Sequence, residues 1–250
     1  MKKFNVDGPN FGLFDMTAPQ RNPAQRAAPV APHSYVWDAA IARKSAPFYM
    51  YRDFGKRLVD LLFVLLTLPF SLPLIGICAL ALWVEGGSPF YTQDRLGRKG
   101  AGFSILKLRT MVRNADAVLE TYLASDPEMR REWDELQKLR NDPRVTRVGR
   151  FLRATSLDEL PQLFNVLQGD MSIVGPRPML PGQLAMYGNA KAYEALRPGI
   201  TGLWQISLRN NNGFSYRNQI DATYERDLTL KLDLAVLFKT IGVVLRGTGC

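Results

Sequence analysis

From Leu61 to Val84 the chain reads LLFVLLTLPFSLPLIGICALALWV, 24 residues without one charged side chain. That exceeds the ~20 apolar residues needed to cross a hydrocarbon core, so membrane attachment is the first constraint on the fold. Two features argue against a plain span. Pro69 and Pro73 bracket Ser71 at its centre, and each proline removes a helix donor and crowds the preceding turn. The Ser71 hydroxyl is placed to satisfy a carbonyl freed in this way. The flanks are basic on both sides, with Arg52, Lys56 and Arg57 before the segment and Arg95, Arg98 and Lys99 after it. The positive-inside rule then gives no preferred direction. A helix-break-helix that enters and leaves on one face satisfies both observations, and a spanning helix with a proline kink also fits the prolines.

The scarce residues narrow the chemistry. Among 250 residues there is one histidine, His33, and there are two cysteines, Cys78 and Cys250. Histidine-based triads, Cys/His zinc sites and C-x-x-C thiol pairs are therefore disfavoured. An enzyme built from this chain must rely on carboxylates, lysines, arginines or an added metal. The formal charge of +9 calls for an anionic partner: a phosphorylated substrate, an acidic membrane surface or nucleic acid. The uncharged segment argues against nucleic acid. No Walker sequence and no Gly-x-Gly-x-x-Gly occurs, so P-loop and Rossmann sites lose their main support.

Three regions follow from these patterns. Residues 1–45 are rich in Pro and Ala without periodicity and are expected to form a disordered tail. Lys2 and Lys3 are not followed by an apolar core, so no secretory signal is read there. Residues 46–85 hold the basic flank and the membrane helix, and 86–250 are polar enough for a globular domain. Within that domain, Phe90–Arg95 and Phe103–Met111 flank Gly97, Gly100 and Gly102, which predicts a short β-hairpin. Period two puts Phe103, Ile105, Lys107 and Arg109 on one strand face, either as a phosphate contact or as a charge-protected edge. Asn114 to Leu139 reads as two helices split at Ser125-Asp126-Pro127, packed through Leu119, Tyr122, Leu123, Trp133, Leu136 and Leu139.

The next stretch changes character. Arg144, Arg147, Arg150 and Arg153 recur every three residues, as a stripe for headgroups or substrate phosphate or as a solvated face. Ser156-Leu157-Asp158-Glu159 has the spacing of a capping box. The same arrangement sets two carboxylates beside free N–H groups at a helix start, where a diphosphate and its magnesium ion would also be drawn. Pro176 and Pro178 fix the backbone around Arg177, which then forks onto a phosphate or makes a surface ion pair. Trp204 follows a double-glycine turn and serves as a core or a stacking residue. Leu232–Leu245 is too short to span and suits an interfacial or packing helix.

Taken in order, the proline-broken apolar segment, Gln93-Asp-Arg-Leu-Gly, Phe103 to Met111, TSLDELPQL ending at Leu163, GDMSIVGPRP and RPGITGLWQIS resemble the bacterial sugar transferases. These are monotopic polyprenol-phosphate phosphoglycosyl transferases, and the chain is most similar to the short members that start exopolysaccharide repeat units. The resemblance covers about Tyr51 to Cys250. It departs at Ser207-Leu208-Arg209, where the family usually has glycine in place of Leu208.

The resemblance implies a mostly helical α+β fold: a re-entrant helix hairpin broken at Pro69, Ser71 and Pro73, a β-hairpin, and a cytoplasmic catalytic domain with amphipathic interfacial helices. It implies an enzyme on the cytoplasmic face of the bacterial inner membrane that moves a sugar 1-phosphate from a UDP-sugar to undecaprenyl phosphate, releasing UMP. The family's Asp-Glu dyad falls on Asp158 and Glu159, the catalytic pair and Mg2+ ligands. Its arginine ahead of the dyad falls on Arg153, its Lys-x-Arg strand on Lys107 and Arg109, and its Pro-Arg-Pro arginine on Arg177; Gln162 joins these as a substrate-binding residue. Membrane phospholipid is a further partner, nucleic acid is not, and homo-oligomerisation is left open. The alternative from a different class is a non-enzymatic membrane scaffold that docks on anionic lipid.

Overall fold

The computed structural model describes residues 46–136, 139, 141–207 and 214–245. The predicted tail, His33, Leu208 and Arg209 lie outside the described residues. α1 (Ala46–Met50) passes through a π-helical turn, Tyr51–Gly55, into the 31-residue α2 (Lys56–Gly86). Both prolines lie inside α2, so the expected break is accommodated within one continuous helix instead of separating two. The Thr67 hydroxyl bonds back to Phe63 O at 2.8 Å. Ser71 does not do the job the sequence assigns it. Its hydroxyl reaches Leu68 O at 3.4 Å, whereas the prolines free the carbonyls four residues before them, at Leu65 and Pro69.

One stripe of α2 is buried: Lys56, Asp60, Val64, Ser71, Ile75, Cys78 and Leu82, steps of three, four and seven residues that keep to a single helix face. The rest is exposed and apolar, including Leu66 at 73%, Phe70 at 80% and Val84 at 75%. Both ends are tied to the same polar unit. At the start, Arg57 donates to Val166 O and Leu167 O at 2.5 and 3.0 Å, and Asp60 accepts from Ser172 Oγ and Ile173 N, each at 2.9 Å. At the end, Arg109 donates to Gly86 O at 2.6 Å. A single span would leave its two ends on opposite sides of a ~30 Å hydrocarbon core. The arrangement is monotopic: one long apolar helix beside one globular unit.

A hairpin follows, β1 (Phe90–Leu96) antiparallel to β2 (Gly102–Leu108), in register from Phe90↔Leu108 to Leu96↔Gly102 around a 3-10 turn at Arg98–Gly100. This is the hairpin its glycines predict. α3 (Ala115–Ser125) and α4 (Pro127–Leu136) meet at Asp126, whose carboxylate accepts from Glu128 N and Met129 N as expected of a helix start. Leu119, Leu123 and Leu139 are buried there against Trp133, while Tyr122 stays largely exposed. α5 (Arg147–Thr155) opens on a Thr146 cap, with Gly149 N donating to Thr146 Oγ1 at 2.9 Å. The arginine series is not one stripe, because Arg144 precedes this helix. Arg144 is buried, forks onto Asp142 at 2.8 and 2.6 Å and stacks on Trp133. Only Arg147 and Arg150 are exposed.

α6 (Gln162–Gln168) leads into β3 (Ser172–Val174), which pairs in parallel with β4 (Gly199–Thr201) after α7 (Leu184–Tyr187) and α8 (Lys191–Ala195). The approach is close enough that a Cβ on Gly199 would lie 2.1 Å from Gly175 N. α9 (Leu203–Ile206), α10 (Phe214–Arg226) and α11 (Leu230–Leu245) complete the fold. The core joins α2, β2, α6, β3, α10 and α11 through Val64, Ile105, Val166, Ile173, Tyr224 and Val236. α11 exposes Leu230, Leu234, Phe238 and Ile241 at steps of four, four and three, and α5, which touches both α2 and α11, exposes Phe151. These faces suit helices lying in a membrane interface.

The base of α2 is fixed by a buried polar cluster. Lys56 donates to Asp233 Oδ2 at 2.7 Å and to the Tyr224 hydroxyl at 3.0 Å, and the Tyr51 and Tyr224 hydroxyls donate to the same carboxylate at 2.6 and 2.5 Å. Removing one partner of a buried pair costs about 3 kcal/mol or more. Lys56→Met is therefore expected to lower the melting temperature in detergent by roughly 6–12 °C, read by intrinsic fluorescence, and an unchanged Tm would contradict this.

Candidate functional site

α5 ends at Thr155, and Ser156 turns into the left-handed region at φ 57° and ψ 19°. Its backbone N–H bonds Arg153 O at 3.2 Å and closes α5. The capping-box reading of Ser156 fails for this reason: an N-cap needs an extended backbone and a bonded side chain, and Ser156 has neither. Asp158 and Glu159 lie in a 3-10 turn, Leu157–Glu159, between two helices. A non-glycine residue at positive φ is uncommon and carries a local cost, which the surrounding contacts hold in place.

The turn packs on β2, where Lys107 Nζ meets Glu159 Oε1 at 2.7 Å. Asn165 on α6 sets the strand against this turn. Its side chain accepts from Leu106 N at 3.0 Å and donates to Ser104 O at 2.9 Å, and so acts as one further rung of the ladder on either side of Ile105, just ahead of Lys107. Burial pushes the Asp158 carboxyl up, with Glu159 adding to the rise and Lys107 and Arg153 opposing it, and the result is about 6. Arg153 itself donates from Nε to Thr110 Oγ1 at 2.8 Å.

Beside the turn is an open cleft of about 280 Å³, lined by Arg95, Lys107, Glu159, Gln162, Arg177 and Gln205 over an apolar floor. Of the residues expected from sequence, the structure brings Lys107, Glu159, Gln162 and Arg177 into this cleft. Asp158 precedes Glu159 in the same turn, and Arg153 bears on Asp158 through its charge. Arg109 is not brought in. β2 ends at Leu108, and the Arg109 guanidinium turns to the C-terminal end of α2, where the last carbonyls of a helix lack intrahelical donors. The expected pairing of Lys107 and Arg109 on one face is thus corrected.

Three residues were missed. Arg95 faces the cleft with a buried Nε that has no hydrogen-bond partner. Burial first, and then the neighbouring Arg177, bring Arg95 down to about 10. Gln205 also lines the cleft. Arg217 on α10 is buried, donates to the Arg177 carbonyl and sits 3.8 Å from Asp221. Arg95 stood inside the Gln93-Asp-Arg run and was readable there, whereas nothing local marked Arg217.

The donor set also bears on a metal. Mg2+ is usually held by one or two carboxylates with waters and substrate phosphates, not by an all-protein cage. Among the described residues no group of three or more His, Cys, Asp or Glu side chains could hold an ion. The adjacent pair Asp158 and Glu159 fits the first arrangement.

A cationic cleft and a half-buried pair of carboxylates stand on a polar unit tied to one apolar helix, the arrangement of a monotopic membrane protein. The chain belongs to the bacterial sugar transferase family, whose model matches residues 51–247. It is 48% identical over 197 residues to the UDP-galactose-lipid carrier transferase of Erwinia amylovora, covering 78% of this chain and 41% of that protein. Identity to the undecaprenyl-phosphate galactose phosphotransferase of Salmonella typhimurium is 47%, with the same shares covered. The exopolysaccharide production protein ExoY of Rhizobium meliloti is 42% identical over 222 residues, 84% of this chain and 98% of that protein. The chain thus spans about two fifths of the length of the first two relatives and nearly the whole of the third.

The environment of Asp158 has a measurable cost. Between its ordinary value of 3.8 and about 6, the folded state binds more protons than the unfolded, so stability falls as pH rises through that window. Asp158→Asn removes the penalty. Its Tm is expected to exceed that of the parent by a few degrees at pH 7–8, with the gain vanishing near pH 3.5; a lower Tm at neutral pH would contradict this account.

Proposed function

We propose that this protein transfers a sugar 1-phosphate from a UDP-sugar to polyprenyl phosphate, giving polyprenyl-diphosphate-sugar and UMP, as an initiating step of exopolysaccharide assembly at the cytoplasmic face of the bacterial inner membrane. The observation that carries the reading is the half-buried Asp158–Glu159 pair beside a cleft that carries Arg95, Lys107 and Arg177. The printed names of the relatives support galactose as the first sugar to test, with glucose next.

In the proposed route Asp158 attacks the β-phosphorus of the UDP-sugar. A P–O bond forms, the bond to the bridging oxygen breaks, and UMP leaves with that electron pair. A phosphate oxygen of the polyprenyl phosphate then attacks the same phosphorus and releases the Asp158 carboxylate. A carboxylate near 6 is largely ionised at neutral pH and needs no histidine to activate it. Lys107 holds Glu159 in place and, with Arg95 and Arg177, offers positive charge to the diphosphate. Arg153 stabilises the ionised form of Asp158. Asp158 and Glu159 are the residues that would hold Mg2+, which supplies charge neutralisation of the diphosphate when bound. Gln162 adds a neutral donor to the cleft wall.

The test is UMP release by the full chain in detergent, with undecaprenyl phosphate and magnesium, across a panel of UDP-sugars. Release is expected with one hexose donor and is expected to fall by more than about 100-fold in Asp158→Asn. In the parent, kcat/KM is expected to decline below about pH 6 as Asp158 gains its proton. No UMP from any donor, with membrane binding intact after loss of both carboxylates, would favour the lipid-docking scaffold instead.

A further inference from the structure

A second, shallow cleft open to solvent lies where the base of α2 meets the hairpin turn and the segment joining α8 to β4. Arg52, Lys56, Asp60, Arg98, Ser172 and Arg197 line it, and none of the residues assigned to the reaction does. Its cations are unequally partnered. Arg52 pairs with Glu225 at 2.9 Å and Lys56 with Asp233 at 2.7 Å. Arg197 gives its Nε to Gly169 O at 2.7 Å, and Arg57 alongside gives both Nη atoms to backbone carbonyls. Arg98, half-buried in the turn, has no ion pair and no side-chain hydrogen bond among the described residues. Burial, then Arg98 and then Arg57, hold Arg197 below its ordinary value.

Negative charge at this place is limited. Asp60 is the carboxylate in the lining, and one of its oxygens already accepts from Ser172 Oγ and Ile173 N. With Glu225, Asp233 and Glu194, whose carboxylate lies against Gly100 in the hairpin turn, included, four carboxylates stand near the five cations Arg52, Lys56, Arg57, Arg98 and Arg197. Guanidinium groups held together without matching carboxylates suit a tetrahedral oxyanion, which accepts two parallel N–H bonds from each fork.

The position of the cleft suggests where such an anion comes from. Arg52 and Lys56 point into the cleft, while two residues further along the same helical stretch Phe54 and Leu58 are 76% and 59% exposed. Two residues correspond to about 200° around a helix, and a helix is about 10–12 Å across. The cleft therefore lies about one helix diameter from an apolar surface that seeks lipid, at the depth of the headgroups.

We propose that this second cleft binds a phosphate group, supplied by the headgroup of a membrane phospholipid, and so fixes the base of α2 at the bilayer surface. The proposal does not depend on the sugar-phosphate reaction. The experiment uses the full chain in mild detergent, titrated with phosphatidylglycerol, with phosphatidylcholine, or with inorganic phosphate at constant ionic strength, and reads Tm by fluorescence. A saturable rise in Tm with phosphatidylglycerol is expected, with the half-saturating concentration raised about tenfold in Arg98→Gln and further in Arg98→Glu. Arg98 has no ion pair or hydrogen bond to lose and its charge opposes that of Arg197, so neither variant is expected to fall below the parent before phosphate is added, and each titration is read from its own lipid-free Tm. If phosphatidylglycerol acts and inorganic phosphate does not compete, the headgroup is the source; if inorganic phosphate reproduces the rise, the site stands with a free phosphate as its ligand. Titrations of both variants that overlay the parent, or no saturable response to either phosphate source, would overturn the proposal. UMP release measured on the same samples reports separately on the catalytic reading.

Discussion

Asp158 and Glu159 are consecutive carboxylates in one half-buried turn, and a single lysine from the neighbouring strand contacts the pair. Lys107 spends its ion pair on Glu159 at 2.7 Å, so Asp158 is left with burial and a like charge working against its ionised form, opposed by through-space help from Lys107 and Arg153 and by one backbone hydrogen bond. Much of the surrounding fold keeps this turn where it is. Ser156 ends α5 in a left-handed residue, α6 starts directly after Pro161, and the Asn165 side chain ties α6 to the edge of β2. A looser turn would let water reach Asp158 and lower its proton affinity toward that of an ordinary surface aspartate.

The second constraint is the anchoring of α2. Its buried stripe and the contacts at both of its ends leave one apolar face for lipid while the polar unit stays beside it. The buried cluster of Lys56, Asp233, Tyr51 and Tyr224 joins the start of α2 to α11, the last described helix of the chain. Burying a charge pair is stabilising only when its remaining bonds are made, and here both tyrosine hydroxyls make them. The exposed apolar faces of α5 and α11 lie on elements in contact with one another. The membrane-facing surface and the Asp158–Glu159 turn are therefore built from the same short stretch, since α5 ends three residues before Asp158.

Much of this was legible in the sequence, and the reasons are local. A run of 24 uncharged residues fixes the membrane helix whatever it packs against. The glycines at 97, 100 and 102 fix the hairpin, and Asp126 before Pro127 fixes a helix start. Readings that assumed regular periodicity across an element boundary fared worse. Arg144 and Arg109 fall just outside the helix and strand that their spacing suggested, and each turned to a nearby partner, Asp142 in one case and Gly86 O in the other. Ser156 has the letters of a cap but takes a positive φ, which no local pattern reveals. Arg217 and Asn165 act across separations of 40 and about 60 residues, so only the fold brings them to the site.

The covalent role of Asp158 is the central step of the proposed reaction. Intact mass measurement of the full chain mixed with its UDP-sugar and magnesium, in the absence of polyprenyl phosphate, tests it directly. A mass increase equal to one sugar phosphate, lost on adding polyprenyl phosphate and absent in Asp158→Asn, is the predicted result. UMP formation by an active preparation with no such adduct under single-turnover conditions, or an adduct that persists in Asp158→Asn, would contradict it.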